Sequence, residues 1–323
     1  MLARLFYNQL PFWARPEHPV MHYILGYEAA RPRQQWLRGF LVLLCLGIVV
    51  ALSFAYTSTN QDSQSYRDFM YYPLIGISLL MQLLALAITA NTIALERQKG
   101  TWETLQITAS GAGTSLRARW ISVFYRLRWF LIPVILSRLV FVGFLVYDMT
   151  DFEGRAIDVL IIGISPEISV ELAVLMLSAL MTAAIIQPLV ALAFDSAVGI
   201  FVSVISQHRG LAILTTILLM VGRVAISGLA LFLGWQILDS NGTTAEILNL
   251  GQLEASARLI FLATQGDLSL RLLDLNILGS IWADVPDGFY VTASILAWVV
   301  LQAFVANGLV HLAAWRAGRP SRS

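Results

Sequence analysis

The sequence predicts an all-α polytopic membrane protein, and three observations carry that expectation. Hydrophobic residues make up 58% of the chain and charged ones only 13%, about half the ~25% charged share of a soluble domain. Mean hydropathy is +0.72. The apolar residues are gathered into runs that reach or exceed the ~20 residues needed to cross a bilayer as a helix. Lipid must therefore solvate most of this chain. The formal net charge of +1 says little, because the charges are segregated and cancel.

The elements follow in order. Residues 1–38 mix Arg, Trp, Tyr and Pro, as in Phe12-Trp13-Ala14-Arg15-Pro16 and Arg33-Gln34-Gln35-Trp36. Aromatic and cationic side chains together favour the headgroup layer, which predicts an amphipathic helix on the inner leaflet; a merely solvated tail is the alternative. Six apolar runs then form a transmembrane domain over 39–316, near 38–57, 70–95, 129–147, 170–205, 211–238 and 289–314. The fourth run is too long for one straight crossing, and Pro188 within it predicts a kink or a break. Val159 to Ile164 is too short to span and suits an interfacial turn or half-helix. The segment 239–288 mixes polar turns with apolar stretches such as Leu259–Ala263, which suits short helices packed on the outer face. Residues 317–323 form a tail. Cys45 has no disulfide partner, and four His at no ligand spacing argue against a metal centre.

Orientation follows from Arg and Lys. Fifteen fall in 1–38, 96–128, 206–210 and the C-terminal end from Arg316, whereas the alternate segments hold only Arg67, Arg155, Arg258 and Arg271. The positive-inside rule then puts both termini in the cytosol of a multi-pass inner (cytoplasmic) membrane protein.

The cytosolic segment 96–128 holds the strongest functional lead. Gly100 suits the left-handed position that ends a helix. Thr101 suits the N-cap of the next, with Glu103 in its first turn near the positive end of the dipole. A short helix from about Trp102 to Thr108 would carry Trp102, Leu105 and Ala109 on one face, with Glu103 and Gln106 on another. Ser110-Gly111-Ala112-Gly113-Thr114-Ser115 then releases the chain. A short surface helix held between two spans is suited to pass a push into the membrane. An ordinary positive-inside loop with incidental caps is the plainer alternative.

Glu96-Arg97-Gln98-Lys99-Gly100-Thr101-Trp102-Glu103-Thr104-Leu105 resembles the loop motif of type-2 ABC exporter permeases, in which Glu leads Gly-Thr-x-Glu-x-Leu between the second and third of six spans. His18-Pro19-Val20 followed by a basic stretch is similar to the Asn-Pro-Val of that family's N-terminal segment. Two departures stand out. The family's Thr-Pro-(Leu/Val)-Ser turn is here Thr108-Ala109-Ser110-Gly111, and its Gly-Lys is replaced by Arg117-Ala118-Arg119. The resemblance implies a coupling helix seated on a separate cytosolic ATPase subunit, with Glu96, Gly100, Thr101, Trp102, Glu103 and Leu105 in contact and force transmission. It also implies a second permease subunit, with ATP and Mg bound by the partner.

The chain has no Gly-x-x-x-x-Gly-Lys-(Ser/Thr), so no phosphate-cradling loop of its own. No nucleophile-base set is apparent either, so the chain is not expected to be an enzyme. Charges inside a membrane mark candidate sites by default, and Arg138, Asp195 and Arg223 fall inside predicted spans. At ~1.5 Å per residue they lie roughly 15–20 Å from the cytosolic ends of those spans. A buried Asp195–Arg223 or Asp195–Arg138 pair is expected, either as a staple fixing helix register or as a substrate or proton site. Asn91, Gln82, Gln187 and Asn307 suit interhelical hydrogen bonds. The expected function is the permease subunit of an ATP-driven exporter, working as a homo- or heterodimer on a lipid, hydrophobic drug or lipid-linked glycan. An ion-coupled carrier using Asp195 and a non-transporting scaffold are the alternatives.

Overall fold

The computed structural model describes residues 11–15, 18–26, 63–90, 111–150, 156–161, 169–206, 209–239, 252–284 and 290–318, with Gly47, Thr92, Ile93, Glu96 and Gly100. Among them every regular element is helical: α1 (Pro19–Leu25), α2 (Ser63–Ala90), α3 (Gly111–Met149), α4 (Ala156–Ile161), α5 (Val170–Ile205), α6 (Arg209–Asp239), α7 (Gln252–Gln265), α8 (Leu275–Asp284) and α9 (Tyr290–Ala317). Short 3-10 turns occupy Phe12–Ala14 and Leu268–Leu273. Five helices, α2, α3, α5, α6 and α9, are long and apolar enough to cross a membrane. They answer to the second through sixth apolar runs. The first run, 38–57, lies outside the described residues except for Gly47, which is helical.

Helix α5 is the hub, with α9, α2 and α3 packed on it. It is lined by small residues, among them Ala183, Ala184, Ala191, Ser196, Ala197, Gly199 and Ser203, all buried. Small side chains let apolar helices approach closely where lipid offers no hydrophobic drive to associate. The tightest approach is at Gly199, where an added Cβ would run into the Thr89 hydroxyl and come within 3.4 Å of the Ala90 amide nitrogen. Helix α9 buries a stripe at Val291, Ile295, Val299, Ala306, Val310, Ala313 and Ala317, a helical spacing of three, four and seven. Its other faces carry exposed Trp298, Phe304 and Trp315.

Three expectations are corrected. First, α3 starts at Gly111, so Arg117, Arg119, Arg126 and Arg128 stand on a helix and not in a loop. Hydropathy marks where a helix can enter lipid, not where it begins, and no breaker lies between Gly113 and Pro133. Second, of the kink or break expected at Pro188, the break does not occur, and α5 runs unbroken through it. Proline leaves the carbonyl four residues back without its helical donor, and here Arg138 of α3 donates to that Ala184 carbonyl at 2.6 Å. Third, the 239–288 segment does form short helices, but they do not merely cover an outer face. Around the junction of α7 with the following 3-10 turn, the 263–267 stretch turns in among the long helices and bonds to Tyr71 of α2, Arg138 of α3, Gln187 of α5 and Arg223 of α6.

The N-terminal segment is fastened to α3. Pro19 occupies the first turn of α1, where its missing N–H is harmless, and the His18 ring accepts from the Val20 amide at 3.3 Å. Tyr125 donates to the Ala14 carbonyl at 3.2 Å and Arg126 to the Ile24 carbonyl at 2.9 Å. The short patch at Val159 becomes α4, packed between α5 and α8.

Candidate functional site

Two polar centres stand out against the apolar bundle. The first is a buried latch around the 265–267 corner. Asp267 has φ 56°, a left-handed conformation that Asp visits more readily than most residues. Its carboxylate is ion-paired with Arg138, whose side chain is 1% exposed. Arg138 lies eleven residues from Met149, about 17 Å along the helix, so the corner reaches well inside the membrane-spanning part. Gln187, one residue before the proline, donates to the carbonyls of Ala263 and Thr264 at 3.1 and 2.8 Å and accepts from Ser269 at 2.6 Å. Tyr71 of α2 donates to the Gly266 carbonyl at 2.9 Å, and Arg271 lies over its ring. Gly266 itself is pressed on α6: a Cβ there would sit 3.2 Å from that of Ala230.

Arg223 of α6 completes the latch. It donates to the Gln82 amide oxygen at 3.0 and 2.8 Å and to that of Gln265. Its Nε lies 3.6 Å from Asp195, an ion-pair rather than a hydrogen-bond distance. Of the two pairings the sequence leaves open, the structure has Asp195 with Arg223. Arg138 takes a different partner, Asp267, which the sequence had assigned to an outer surface. Two buried cations thus face two buried carboxylates, so the local charge closes. A cavity of about 20 Å³ beside Ser78, Gln82 and Asp267 has room for one water, and the Ser78 hydroxyl has no protein partner.

Asp267 left a signal that charge bookkeeping could have found. Two Arg and one Asp inside the spans leave a cation to neutralise, and a carboxylate from outside them had to answer it. Gln265-Gly266-Asp267 also interrupts two leucine-rich stretches, Leu259–Ala263 and Leu268–Leu273, as a corner between two packed elements does.

The second centre lies at the opposite end of the bundle, where α2 leads toward α3. Here Ile93, Leu116, Ile200, Val204, Ala313 and Ala317 form a small buried cluster. The Ile93 amide, beyond the end of α2, donates to Ser203 of α5 at 3.0 Å, and Trp120 donates to the Ala193 carbonyl at 2.9 Å. Glu96 is ion-paired with Arg119 of α3. Gly100 stands at φ 70°, the left-handed conformation the sequence assigns to it. Nothing lies within 4 Å of where its Cβ would be, so the demand for glycine comes from the backbone alone. Thr101, Trp102, Glu103 and Leu105 lie outside the described residues, as does Asn91. Gln82 and Gln187 make the interhelical bonds expected of them, while Asn307 offers its carbonyl to His311 at 3.1 Å. No metal-holding group of His, Cys, Asp or Glu occurs among the described residues. Comparison with protein-family models, curated proteins and solved structures found no match.

Proposed function

We propose that this chain is the membrane-spanning permease subunit of an ATP-driven exporter, coupled to a separate ATPase subunit through the loop after α2. The observation that carries the proposal is the 96–105 motif and its position between two apolar helices. Its resemblance to the coupling loop of type-2 ABC exporters supplies the functional class. The local geometry supports a mechanical role. Glu96 is tied to α3 and Gly100 stands in a left-handed turn, while the residue types Thr101 and Glu103 favour the start of a short surface helix after it.

In this reading the termini and the loop face the cytosol, and six spans from each of two subunits surround a path. Movement of the loop is passed to α3, because the Glu96–Arg119 pair ties the start of the loop to that helix. The latch then carries strain across the bundle from α3 to α5, α6 and the 265–267 corner. Both buried carboxylates are already engaged by arginines, which favours a structural part for them over the proton site of an ion-coupled carrier.

A photoreactive side chain introduced at Thr104 tests the proposal. It should cross-link the native membrane's cytosolic subunit that bears a phosphate-binding loop. Cross-links to lipid alone, or to unrelated membrane subunits, would remove the reading.

A further inference from the structure

At the loop end a pocket of about 380 Å³ with mixed polar and apolar walls opens between α1, the end of α2 and the start of α3. Arg119, Ser122 and Arg126 line it at i, i+3 and i+7 from one face of α3. Arg119 is 5% exposed. One of its terminal nitrogens holds Glu96, while its Nε finds no acceptor in the protein. Arg126 is fixed by its bond to the Ile24 carbonyl, so α1 serves as a wall. A buried guanidinium N–H without an acceptor is costly, and an anionic oxygen is its strongest match.

The pocket straddles a boundary. Ile88 belongs to the last turn of the apolar span Met70–Ala90, whereas Glu96 lies beyond it. Ile24 and Ile88 offer apolar walls beside the two cations. That is the layering of a phospholipid at its phosphate, and basic pockets at this depth bind lipid headgroups.

We propose that this pocket holds the phosphate of a phospholipid from the leaflet at the loop end. The guanidinium groups of Arg119 and Arg126 take the phosphate oxygens, Arg119 shifting beside Glu96 to present its buried Nε, and the glycerol and first methylenes lie against Ile24 and Ile88. Because Arg119 also grips Glu96, a bound lipid stiffens the strut by which the loop leaves α2. The binding site itself does not depend on the transport reading.

The test uses the full chain purified in detergent, delipidated, then titrated with phosphatidylglycerol or phosphatidylethanolamine while bound lipid is counted by native mass spectrometry. Arg126→Gln and the pocket-filling Ser122→Leu are run beside the wild type, with inorganic phosphate as competitor. The proposal expects one tightly held phospholipid per chain, binding about tenfold weaker in each folded variant, and little competition from phosphate. Equal lipid binding in wild type and variants, or no retained lipid, overturns it. Phosphate displacing lipid at equal strength would also overturn it, assigning the pocket to a soluble anion. Should Arg126→Gln fail to fold, Ser122→Leu decides, since it leaves every ion pair in place.

Discussion

Asp267→Asn removes one charge from the latch and little else. Asparagine tolerates the left-handed backbone at φ 56°, so the substitution adds little strain. It leaves Arg138, at 1% exposed, holding only the Ala184 carbonyl and whatever the new amide oxygen can accept. Breaking a buried ion pair by removing one partner costs ~3–5 kcal/mol. The surviving acceptor returns ~1 kcal/mol, so we expect a loss of about 3 kcal/mol. Arg138→Met should cost a similar ~3 kcal/mol, because it orphans both Asp267 and the carbonyl that Pro188 leaves without a donor. With both changes the charges vanish together, and the double variant should lie ~3 kcal/mol below wild type, half the sum of the singles. Ordinary interhelical hydrogen bonds in a membrane couple by only ~0.6 kcal/mol, so the two cases separate cleanly. Reversible unfolding in mixed detergent micelles measures the cycle. Additive single losses, with coupling below ~0.5 kcal/mol, would refute the buried pair.

Three further outcomes follow from the same geometry. Gly199→Ala should destabilise by ~1–3 kcal/mol in a detergent melt through its collision with Thr89, and Thr89→Ala in the same chain should recover part of it. Pro188→Ala returns an amide donor to the Ala184 carbonyl in competition with Arg138; amide exchange should slow near 188 and quicken at 264–269, and no change at 264–269 would contradict the anchoring. Gly100→Asn should keep the loop functional, whereas Gly100→Val, β-branched at positive φ, should strain it by ~1–2 kcal/mol and lower the yield of any co-purified partner.

The helical class and the five helices long and apolar enough to cross a membrane were legible because each carries a continuous apolar signal. Helix ends were not, since α3 runs from Gly111 through four arginines that hydropathy counts as loop. Pro188 illustrates the same limit. Its helix-breaking tendency is local, while the remedy is an arginine on another helix. Arg138, Asp195 and Arg223 were found by their cost in lipid, yet the partner of Arg138 came from a corner that folds back from the 239–288 segment. Asp267 and Arg119, both decisive, looked like ordinary polar residues until the chain brought their partners to them. The left-handed Gly100 was legible because only glycine meets that backbone need freely.

The central claim is that the loop after α2 couples this chain to an ATPase. The most direct test is ATP hydrolysis by the complex purified from native membranes through this chain, compared with Glu103→Lys. A stoichiometric partner bearing a phosphate-binding loop is expected, with both partner and hydrolysis lost in the variant while its helical content is unchanged. A chain that purifies alone or with unrelated membrane subunits, or a variant that hydrolyses ATP as the wild type does, would contradict it.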